Sequence, residues 1–338
     1  MRRLDGAAAL AAPAALVLAA AVLGSRLGPV RQLEFDDALV NTAIVVSLYV
    51  FIGNSGVLSF GHVSFVAVGA YLSGILTLGA EQKNFVLPTM FPFLRHAQYS
   101  TTASLGFAAA AGAVFALVAG IPLMRLSGLP ASIATFAVLG ITNNVISYWD
   151  KIGPGVTALS LVPSSGIWTL AAGALIAIVV AFAYQRSPWG RRLRAIREDP
   201  QAAQASGIDV HRERLVAFVI SGALAGFAGG LLVHELGSIT TTQVYLELTF
   251  TTLAMLVVGG VSSLLGAVVG ALLISGLNSL LSDAEQGIHI GFSLTLPTGT
   301  RLVAIGAVMA AVLIVRPSGL SGGREFRVPR RRGGSGRG

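Results

Sequence analysis

Polar side chains that could bind a small solute gather where an apolar stretch near the N-terminus is interrupted. Amides and hydroxyls at a broken helix can donate to a substrate carboxylate, which makes Asn54, Ser55 and Ser59 candidates for a substrate pathway. Capping of the two helix ends is the alternative role for these three side chains. His62 either lines a cavity or makes a hydrogen bond within the turn. The apolar runs 38–52 and 63–78 flank the segment Gly53-Asn54-Ser55-Gly56-Val57-Leu58-Ser59-Phe60-Gly61-His62.

A further candidate for the pathway is Asn143, which with Asn144 lies near the end of the apolar run 129–149. The alternative is that both are helix-end residues. No pattern in the sequence matches a catalytic triad, a carboxylate dyad or a metal-binding cluster, because the chain has no cysteine and its 5 histidines are scattered. We therefore expect no catalytic residue, no metal ligand and no cofactor bound by this chain.

The longest charged segment, residues 186–214, lies between two apolar runs and holds seven arginines. Within it, Gln201-Ala202-Ala203 is followed after three residues by Gly207. Pro200 suits the first turn of a short helix, and Gly207 suits its C-terminal end. Such a helix could dock into a groove on a partner protein, whereas the alternative is an ordinary amphipathic connector. The residues predicted to contact the partner are Arg194, Glu198, Asp199, Gln201, Ala202, Ala203 and Gly207, and with Arg197 the charged ones among them are expected to form a solvated face.

The elements that position these residues are predicted to be membrane-spanning helices. The 338-residue chain is 54% hydrophobic and 11% charged, with a mean hydropathy of +0.76, whereas a soluble domain carries about 25% charged residues. Apolar runs of about 15–20 residues predict an all-α polytopic fold with about ten transmembrane helices. Since arginine and lysine mark the cytoplasmic side, both termini and the basic loop are predicted to be cytoplasmic.

The predicted organisation is one transmembrane domain over residues 1–320, with residues 185–213 as its cytoplasmic loop. Residues 321–338 are expected to form a basic disordered tail. The apolar run within residues 1–26 is expected to remain as the first span, and a cleaved signal peptide is the competing interpretation. Residues 31–37 are predicted to be a short outer segment.

A second interruption, residues 259–266, separates the apolar runs 248–258 and 267–281 and echoes the first one. Corresponding interruptions in two halves of a chain predict broken helices, an internal repeat and a nearby binding region. Overlapping GxxxG units in residues 222–230 predict close helix packing. The glycines predicted to act as hinges or packing points are Gly53, Gly56, Gly61, Gly259, Gly260 and Gly266.

Several blocks of sequence, taken together, resemble one family of membrane proteins. They are Ser187-Pro188-Trp189-Gly190-Arg191-Arg192-Leu193-Arg194-Ala195-Ile196-Arg197-Glu198-Asp199, Gly207-Ile208-Asp209, Gly56-Val57-Leu58-Ser59-Phe60-Gly61-His62, residues 258–266 and Arg316-Pro317-Ser318-Gly319-Leu320. Their combination resembles the second permease (LivM-like type) of branched-chain amino acid ABC importers. Residues 201–207 then have the spacing of the EAA motif of such permeases, with Gln201 in place of glutamate. The resemblance implies an ABC-importer permease fold in the plasma or inner membrane.

The resemblance also implies a set of partners. They are a second homologous permease, two cytoplasmic ATP-binding subunits, an extracytoplasmic substrate-binding protein and membrane lipid, and no nucleic acid is among them. The chain has no GxxxxGK[ST] phosphate loop. It is therefore expected to be a transporter subunit rather than an enzyme, with ATP hydrolysed by partner subunits.

A departure from the family pattern leaves the substrate open. Where many members have Thr-Gly-Gly-x-Asp-Gly-Leu, residues 153–159 contain a proline and no acidic side chain. Branched-chain amino acids are expected, and urea or short amides are the alternatives within the family. A secondary carrier driven by an ion gradient is the alternative from another class, and it is disfavoured because the predicted spans contain no acidic proton relay.

Overall fold

Apolar α-helices make up most of the chain in the computed structural model. The structure describes residues 2–86, 90–95, 97–153, 155, 157–286, 288, 289, 293, 294, 297, 299–316 and 318–322. The helices are α1 (Arg2–Arg26), α2 (Pro29–Leu48), a π-helix (Tyr49–Gly53), α3 (His62–Thr77), α4 (Ala80–Val86), α5 (Pro92–Arg95), α6 (Thr101–Leu123), α7 (Leu129–Tyr148), α8 (Ile167–Arg186), α9 (Pro188–Glu198), α10 (Pro200–Ala205), α11 (Val210–Leu236), α12 (Leu246–Gly259), α13 (Leu264–Gln286) and α14 (Thr300–Val315). The strands are β1 (Leu159–Ser160), β2 (Ser238–Ile239), β3 (Ile288–His289) and β4 (Ser293–Leu294).

The apolar helices of the described residues confirm the all-α polytopic fold. Seven helical stretches are long and apolar enough to cross a membrane, namely α1, α2 with its π-helical extension, α6, α7, α8, α11 and α13. Three shorter apolar helices, α3, α12 and α14, bring the number to ten. A helix of 16 residues, the length of α3 and α14, rises about 24 Å. These shorter helices thus fall short of the ~30 Å thickness of the hydrocarbon core, and they lie just below the ordinary length of a span.

The second helix begins earlier than the sequence suggested. Residues 31–37 lie inside α2 rather than in a segment that precedes the helix, and the side of the membrane on which they lie stays a prediction. Pro29 occupies the first turn, directly after Gly28 at the N-cap position, and its fixed φ favours helix initiation. The helix continues through the π-helix to give a stretch of 25 residues, Pro29–Gly53, that is largely buried.

The long helix α11 packs in the middle of the bundle through its glycines. A Cβ atom on Gly226 would collide with the carbonyl oxygen of Ala108 in α6, and one on Gly229 with that of Val66 in α3. A Cβ on Gly222 would lie 2.9 Å from the Gly112 carbonyl oxygen. Helix backbones approach this closely only where small residues leave room. The close packing predicted for residues 222–230 is therefore confirmed.

Short segments connect the helices at the end of the bundle opposite the basic loop. Strand β1 pairs with β2, which ties the loop before α8 to the end of α11. Strands β3 and β4 form a second antiparallel pair between α13 and α14. The side chain of Lys83 in α4 is buried and donates hydrogen bonds to the carbonyl oxygens of Leu94 and Ala97. Of the predicted tail, only residues 321 and 322 are described, so the prediction for residues 323–338 falls outside the described part of the chain.

Candidate functional site

The basic loop folds into two short helices that meet at Asp199. Ser187 caps the N-terminus of α9. The carboxylate of Asp199 accepts hydrogen bonds from the amides of Gln201 and Ala202, at 2.9 and 3.0 Å. Side-chain acceptors at these positions satisfy amides that have no partner within the helix. The prediction that Pro200 restarts a short helix is confirmed.

The second short helix, α10, ends at Gly207. This residue has a φ of +81°, a left-handed conformation that glycine adopts without steric cost. The Gly207 amide donates to the Gln204 carbonyl at 2.9 Å, and the Ile208 amide donates to the Ala203 carbonyl at 3.1 Å. These two bonds form the Schellman motif, which confirms Gly207 as the end of the helix.

The residues predicted to contact a partner form an exposed group and an inward group. The exposed ones are Glu198, Asp199, Gln201, Ala202 and Gly207. Ala203 is buried in the hydrophobic core. Arg194 is half-buried and donates to the Gln185 carbonyl oxygen at 2.7 Å. Ala203 and Arg194 therefore hold the short helices on the bundle, while the contact of the exposed group with a partner stays a prediction.

Arg197 is exposed, as predicted for the solvated face, but it is also bonded to the helix bundle. Its guanidinium donates to the carbonyl oxygen of Gly53 at 2.6 Å. Its aliphatic stem passes Gly56, where an added Cβ would lie 2.9 Å from the Arg197 Cγ. Since Arg194 also bonds a backbone carbonyl, the predicted charged face is only partly free, and two of its arginines bind the helix bundle.

The first predicted interruption is present between α2 and α3. The π-helix ends at Gly53, and Gly56 has a φ of +71°. Backbone without regular secondary structure then leads to Gly61, where a Cβ would collide with the carbonyl oxygen of Thr135 in α7. Irregular backbone at membrane depth is tolerated where protein surrounds it, and the packing of Gly61 on α7 provides such a surrounding.

The second predicted interruption, between α12 and α13, meets the first one. A Cβ on Gly53 would lie 2.7 Å from the carbonyl oxygen of Val261. Next to Val261, Gly260 has a φ of +119°. The backbones of Gly259 and Gly266 are in contact, so that a Cβ on either would collide with the carbonyl oxygen of the other. The structure thus brings both interruptions to the end of the bundle that carries the basic loop.

The predicted pathway residues next to the π-helix are buried and make local contacts. Asn54 Nδ2 donates to the Val50 carbonyl at 3.0 Å, and Ser55 Oγ accepts from the Val57 amide at 3.1 Å. These contacts fit the alternative of capping the broken helix. The buried Oδ1 of Asn54 has no hydrogen-bond partner among the described residues, so a role of Asn54 and Ser55 in a substrate pathway stays a prediction.

His62 and Ser59 belong to a buried hydrogen-bond chain. Ser221 Oγ donates to the Ser47 carbonyl at 2.6 Å and therefore accepts from His62 Nε2. His62 Nδ1 then accepts from Ser59 Oγ at 2.9 Å, which fixes one tautomer of the neutral ring. The rings that pack on this imidazole, with centroids 5.4–5.6 Å away, are Phe51, Phe65 and Phe218. The geometry is that of a satisfied structural histidine, and a pathway role stays a prediction.

Asn143 lies in α7, away from the first interruption. It is half-buried and lines a small pocket with Thr142 and Thr241. Eight residues separate it from Thr135, which contacts the interruption, and eight residues of helix rise about 12 Å. Asn143 therefore does not join the polar side chains around His62.

A carboxylate cluster at the opposite end of the bundle was missed in the sequence. Glu235 in α11 interacts electrostatically with Asp36 and Asp37 in α2. Asp37 also accepts a hydrogen bond from Asn41 at 2.9 Å and lies in the field of Arg301. Asp36 is 5% exposed, and within the described part of the chain its Oδ1 and the Oε2 of Glu235 are buried without a hydrogen-bond partner.

The expectation that the spans contain no acidic proton relay did not take these carboxylates into account. All three lie in helices long enough to cross a membrane. The predicted start of this span put Asp36 and Asp37 in a short outer segment, and the signal that could have placed them in the helix was Pro29 after Gly28. Across the residues that the structure describes, no group of three or more His, Cys, Asp or Glu side chains is arranged to hold a metal ion.

Comparison with known proteins gives one family match over most of the chain. Residues 38–315 match the family described as branched-chain amino acid transport system, permease component. The high-affinity branched-chain amino acid transport system permease protein LivM of Escherichia coli (strain K12) is 27% identical over 301 residues, which cover 81% of this chain. The match spans 66% of the length of that relative.

Two further relatives are similar over shorter stretches. The probable branched-chain amino acid transport permease protein LivH of Methanocaldococcus jannaschii is 33% identical over 144 residues, 40% of this chain and 42% of the relative. The autoinducer 2 import system permease protein LsrC of Enterobacter sp. (strain 638) is 28% identical over 196 residues, 54% of this chain and 57% of the relative. No solved structure matches the chain.

Proposed function

The chain belongs to the branched-chain amino acid transport permease family, and from that premise we propose that it is the membrane permease subunit of an ATP-driven importer. Its helices would form the translocation pathway for branched-chain amino acids or related small polar solutes. Its basic loop would receive the movement of ATP-hydrolysing partners and pass it to the spans.

The observation that carries this proposal is the way the basic loop is attached to the bundle. Helix α10 presents exposed residues on one side, and Ala203 is buried in the core on the other. Arg197 of the neighbouring helix α9 holds the carbonyl oxygen at the end of the π-helix. A protein that pushes or pulls α10 would therefore act directly on an interruption in the spans, as a coupling element must.

The proposed importer needs several other chains. Two cytoplasmic ATP-binding subunits would dock on the basic loop, and an extracytoplasmic substrate-binding protein would dock at the opposite end. A second homologous permease would complete the pathway, with membrane lipid around both. The present chain has no phosphate loop in its sequence, so we assign ATP hydrolysis to the partners.

The orientation in the membrane follows from charge. Arginine and lysine near the ends of spans favour the cytoplasmic side, and the basic loop is the strongest such segment between spans. With the loop in the cytoplasm and ten spans, both termini are proposed to be cytoplasmic. The carboxylate cluster of Asp36, Asp37 and Glu235 then faces the outer side.

The substrate class rests on the names of the relatives. The LivM and LivH relatives are named for branched-chain amino acid transport, whereas the LsrC relative is named for import of autoinducer 2. We propose branched-chain amino acids first, because the relatives so named include the one matched over 81% of this chain. The proposed pathway residues are Asn54, Ser55, Ser59, His62 and Asn143.

Co-purification and uptake test the proposed function. The full importer should retain an ATP-binding subunit through detergent extraction and should import radiolabelled leucine only with ATP.

Substitution Gly207→Asp should uncouple ATP hydrolysis from uptake without preventing membrane insertion, because it distorts the end of α10. The matched control is Gly28→Asp, which adds the same charge outside the basic loop at an N-cap position with an ordinary φ of −65° and open space around it, and it should import normally. Normal uptake by Gly207→Asp at normal expression would contradict the proposal.

The buried carboxylates make a carrier driven by an ion gradient the alternative function to test. Acidic groups inside spans are typical of proton and cation pathways. A carrier would import solute in vesicles that hold this chain alone, driven by a proton or sodium gradient and indifferent to ATP. An importer subunit without its ATP-binding partners would import no solute, whether or not a gradient or ATP is present.

A further inference from the structure

Three segments that lie far apart in the sequence meet at Gly53. Gly53 ends the π-helix that follows α2. Val261, in the second interruption, places its carbonyl oxygen 2.7 Å from where a Gly53 Cβ would be. Arg197, in the last turn of α9, donates to the Gly53 carbonyl at 2.6 Å. We call this meeting point the Gly53 junction.

Local geometry makes the junction a tight fit. A Cβ on Gly53 would also lie 2.5 and 2.6 Å from ring carbons of Tyr49, so only glycine fits between that ring and Val261. The turn at Gly56 lets the stem of Arg197 pass at van der Waals distance, since a Cβ there would lie 2.9 Å from its Cγ. The absence of a side chain at both Gly53 and Gly56 is therefore what lets Arg197 reach the Gly53 carbonyl.

The bond between Arg197 and Gly53 is also favourable electrostatically. The last carbonyl groups of a helix have no partner within it, and they carry the negative end of the helix dipole. A guanidinium is always charged and donates in a fixed plane. Such a charge-assisted bond is stronger than one between neutral groups, and Arg197 makes it although much of its surface remains exposed.

We propose that Arg197 is the positioning residue through which movement of the basic loop reaches both interruptions. This rests on the proposed importer function. Arg197 lies two residues before Asp199, the residue that caps α10, so a displacement of α10 reaches the guanidinium within one helical turn. Gly53 then moves with Arg197, and the carbonyl of Val261, packed against Gly53, moves with it. One side chain thus links the surface offered to the ATP-binding subunits to residues 49–61 and 259–266.

The test uses the complete importer in proteoliposomes, with leucine imported per ATP hydrolysed as the readout. Arg197→Met removes the donor but keeps an apolar stem against Gly56, and we expect leucine imported per ATP to fall about tenfold, the effect of losing one charge-assisted hydrogen bond. Arg197→Lys keeps a positive donor and should recover part of the loss. Arg191→Met, an exposed arginine of the same helix, is the matched control and should behave as the unmodified chain does.

A second readout follows the interruption itself. The chain has no cysteine, so Leu58→Cys places a unique thiol in the exposed part of the first interruption. ATP should change the alkylation rate of this thiol in the importer, and Arg197→Met should bring the ratio of the rates with and without ATP close to one. Gly56→Ala, which crowds the Arg197 stem and strains the positive-φ turn but keeps the guanidinium, should act in the same direction.

The outcomes separate transmission from a merely structural contact. A structural role for Arg197 would lower the amount of assembled importer and leave both the leucine imported per ATP and the alkylation ratio unchanged, and that result would overturn the proposal. Equal behaviour of Arg197→Met and Arg191→Met would overturn it as well. Failure of the unmodified importer to couple ATP to uptake would instead refute the proposed function on which the inference rests.

Discussion

The two ends of the bundle are held by different kinds of contact. At the end with the basic loop, glycine backbones touch, and Arg197 bonds the carbonyl of Gly53. At the other end, the carboxylates of Asp36, Asp37 and Glu235 lie close enough to repel one another. Among the described residues, both ends keep some buried polar atoms without partners, such as the Oδ1 of Asn54 and the Oδ1 of Asp36. The difference is that the first end is held by touching backbones and directed hydrogen bonds, whereas the second brings carboxylates of two helices together.

This difference indicates that the two ends have different mechanical properties. Where backbones are in van der Waals contact, one residue cannot move without displacing its neighbours. Neighbouring buried carboxylates repel one another, and this favours any rearrangement that lets water or a cation reach them. The loop end is therefore expected to transmit movement as a stiff unit, while the carboxylate end is expected to open more readily.

The largest effect is expected at the loop end, from Gly53→Ala. The added methyl group has no room between Tyr49 and Val261, and such overpacking costs about 2 kcal/mol. Thermal unfolding in detergent, followed by circular dichroism, should show a clearly lowered Tm. The matched control is Gly106→Ala in α6, where nothing lies within 4 Å of the added atom. There, alanine should stabilise the helix by up to about 1 kcal/mol, and equal Tm shifts for the two variants would contradict the tight fit at Gly53.

The opposite sign is expected at the carboxylate end, from Glu235→Gln. The amide keeps the shape of the side chain and removes an ionisable group whose charged form is disfavoured by burial and by two neighbouring carboxylates. We expect stabilisation of about 1 kcal/mol in the same thermal assay. Glu198→Gln on the exposed surface is the control and should change stability by less than about 0.5 kcal/mol. A lower Tm for Glu235→Gln would mean that its carboxylate binds a cation in the folded protein.

The loop end was also the part that the sequence predicted well. Pro200 and Gly207 are local signals for the start and end of a helix, and they act through φ and the missing Cβ of a single residue. The helix count followed from the length of the apolar runs, and the spacing of the glycines in residues 222–230 was enough to indicate close packing. Each of these features depends on residues a few positions apart.

The remaining features depend on contacts that no local pattern encodes. The meeting of Gly53, Val261 and Arg197 joins positions more than 60 residues apart in the chain. The sequence predicted Arg197 to be part of a solvated charged face. The residues next to it in the sequence do not indicate that a backbone carbonyl of another helix lies within hydrogen-bond distance. Asp36 and Asp37 were assigned to a short outer segment before the span, although α2 begins before them and buries Asp36.

The smallest effect is expected from Asp199→Ala. This substitution tests whether α10 and the Gly53 junction unfold together or separately. Asp199 caps α10 by accepting two amides, and loss of such a cap costs about 1 kcal/mol. The cost should fall on α10 alone, because Gly53 and Val261 do not depend on this carboxylate. Hydrogen-exchange mass spectrometry of the peptide covering residues 199–208 should show exchange about fivefold faster, with an unchanged Tm. Glu198→Ala, which removes a neighbouring exposed carboxylate, should leave this exchange unaltered. If Asp199→Ala lowered the Tm as much as Gly53→Ala does, α10 and the Gly53 junction would unfold together, and the loop end would behave as one cooperative unit.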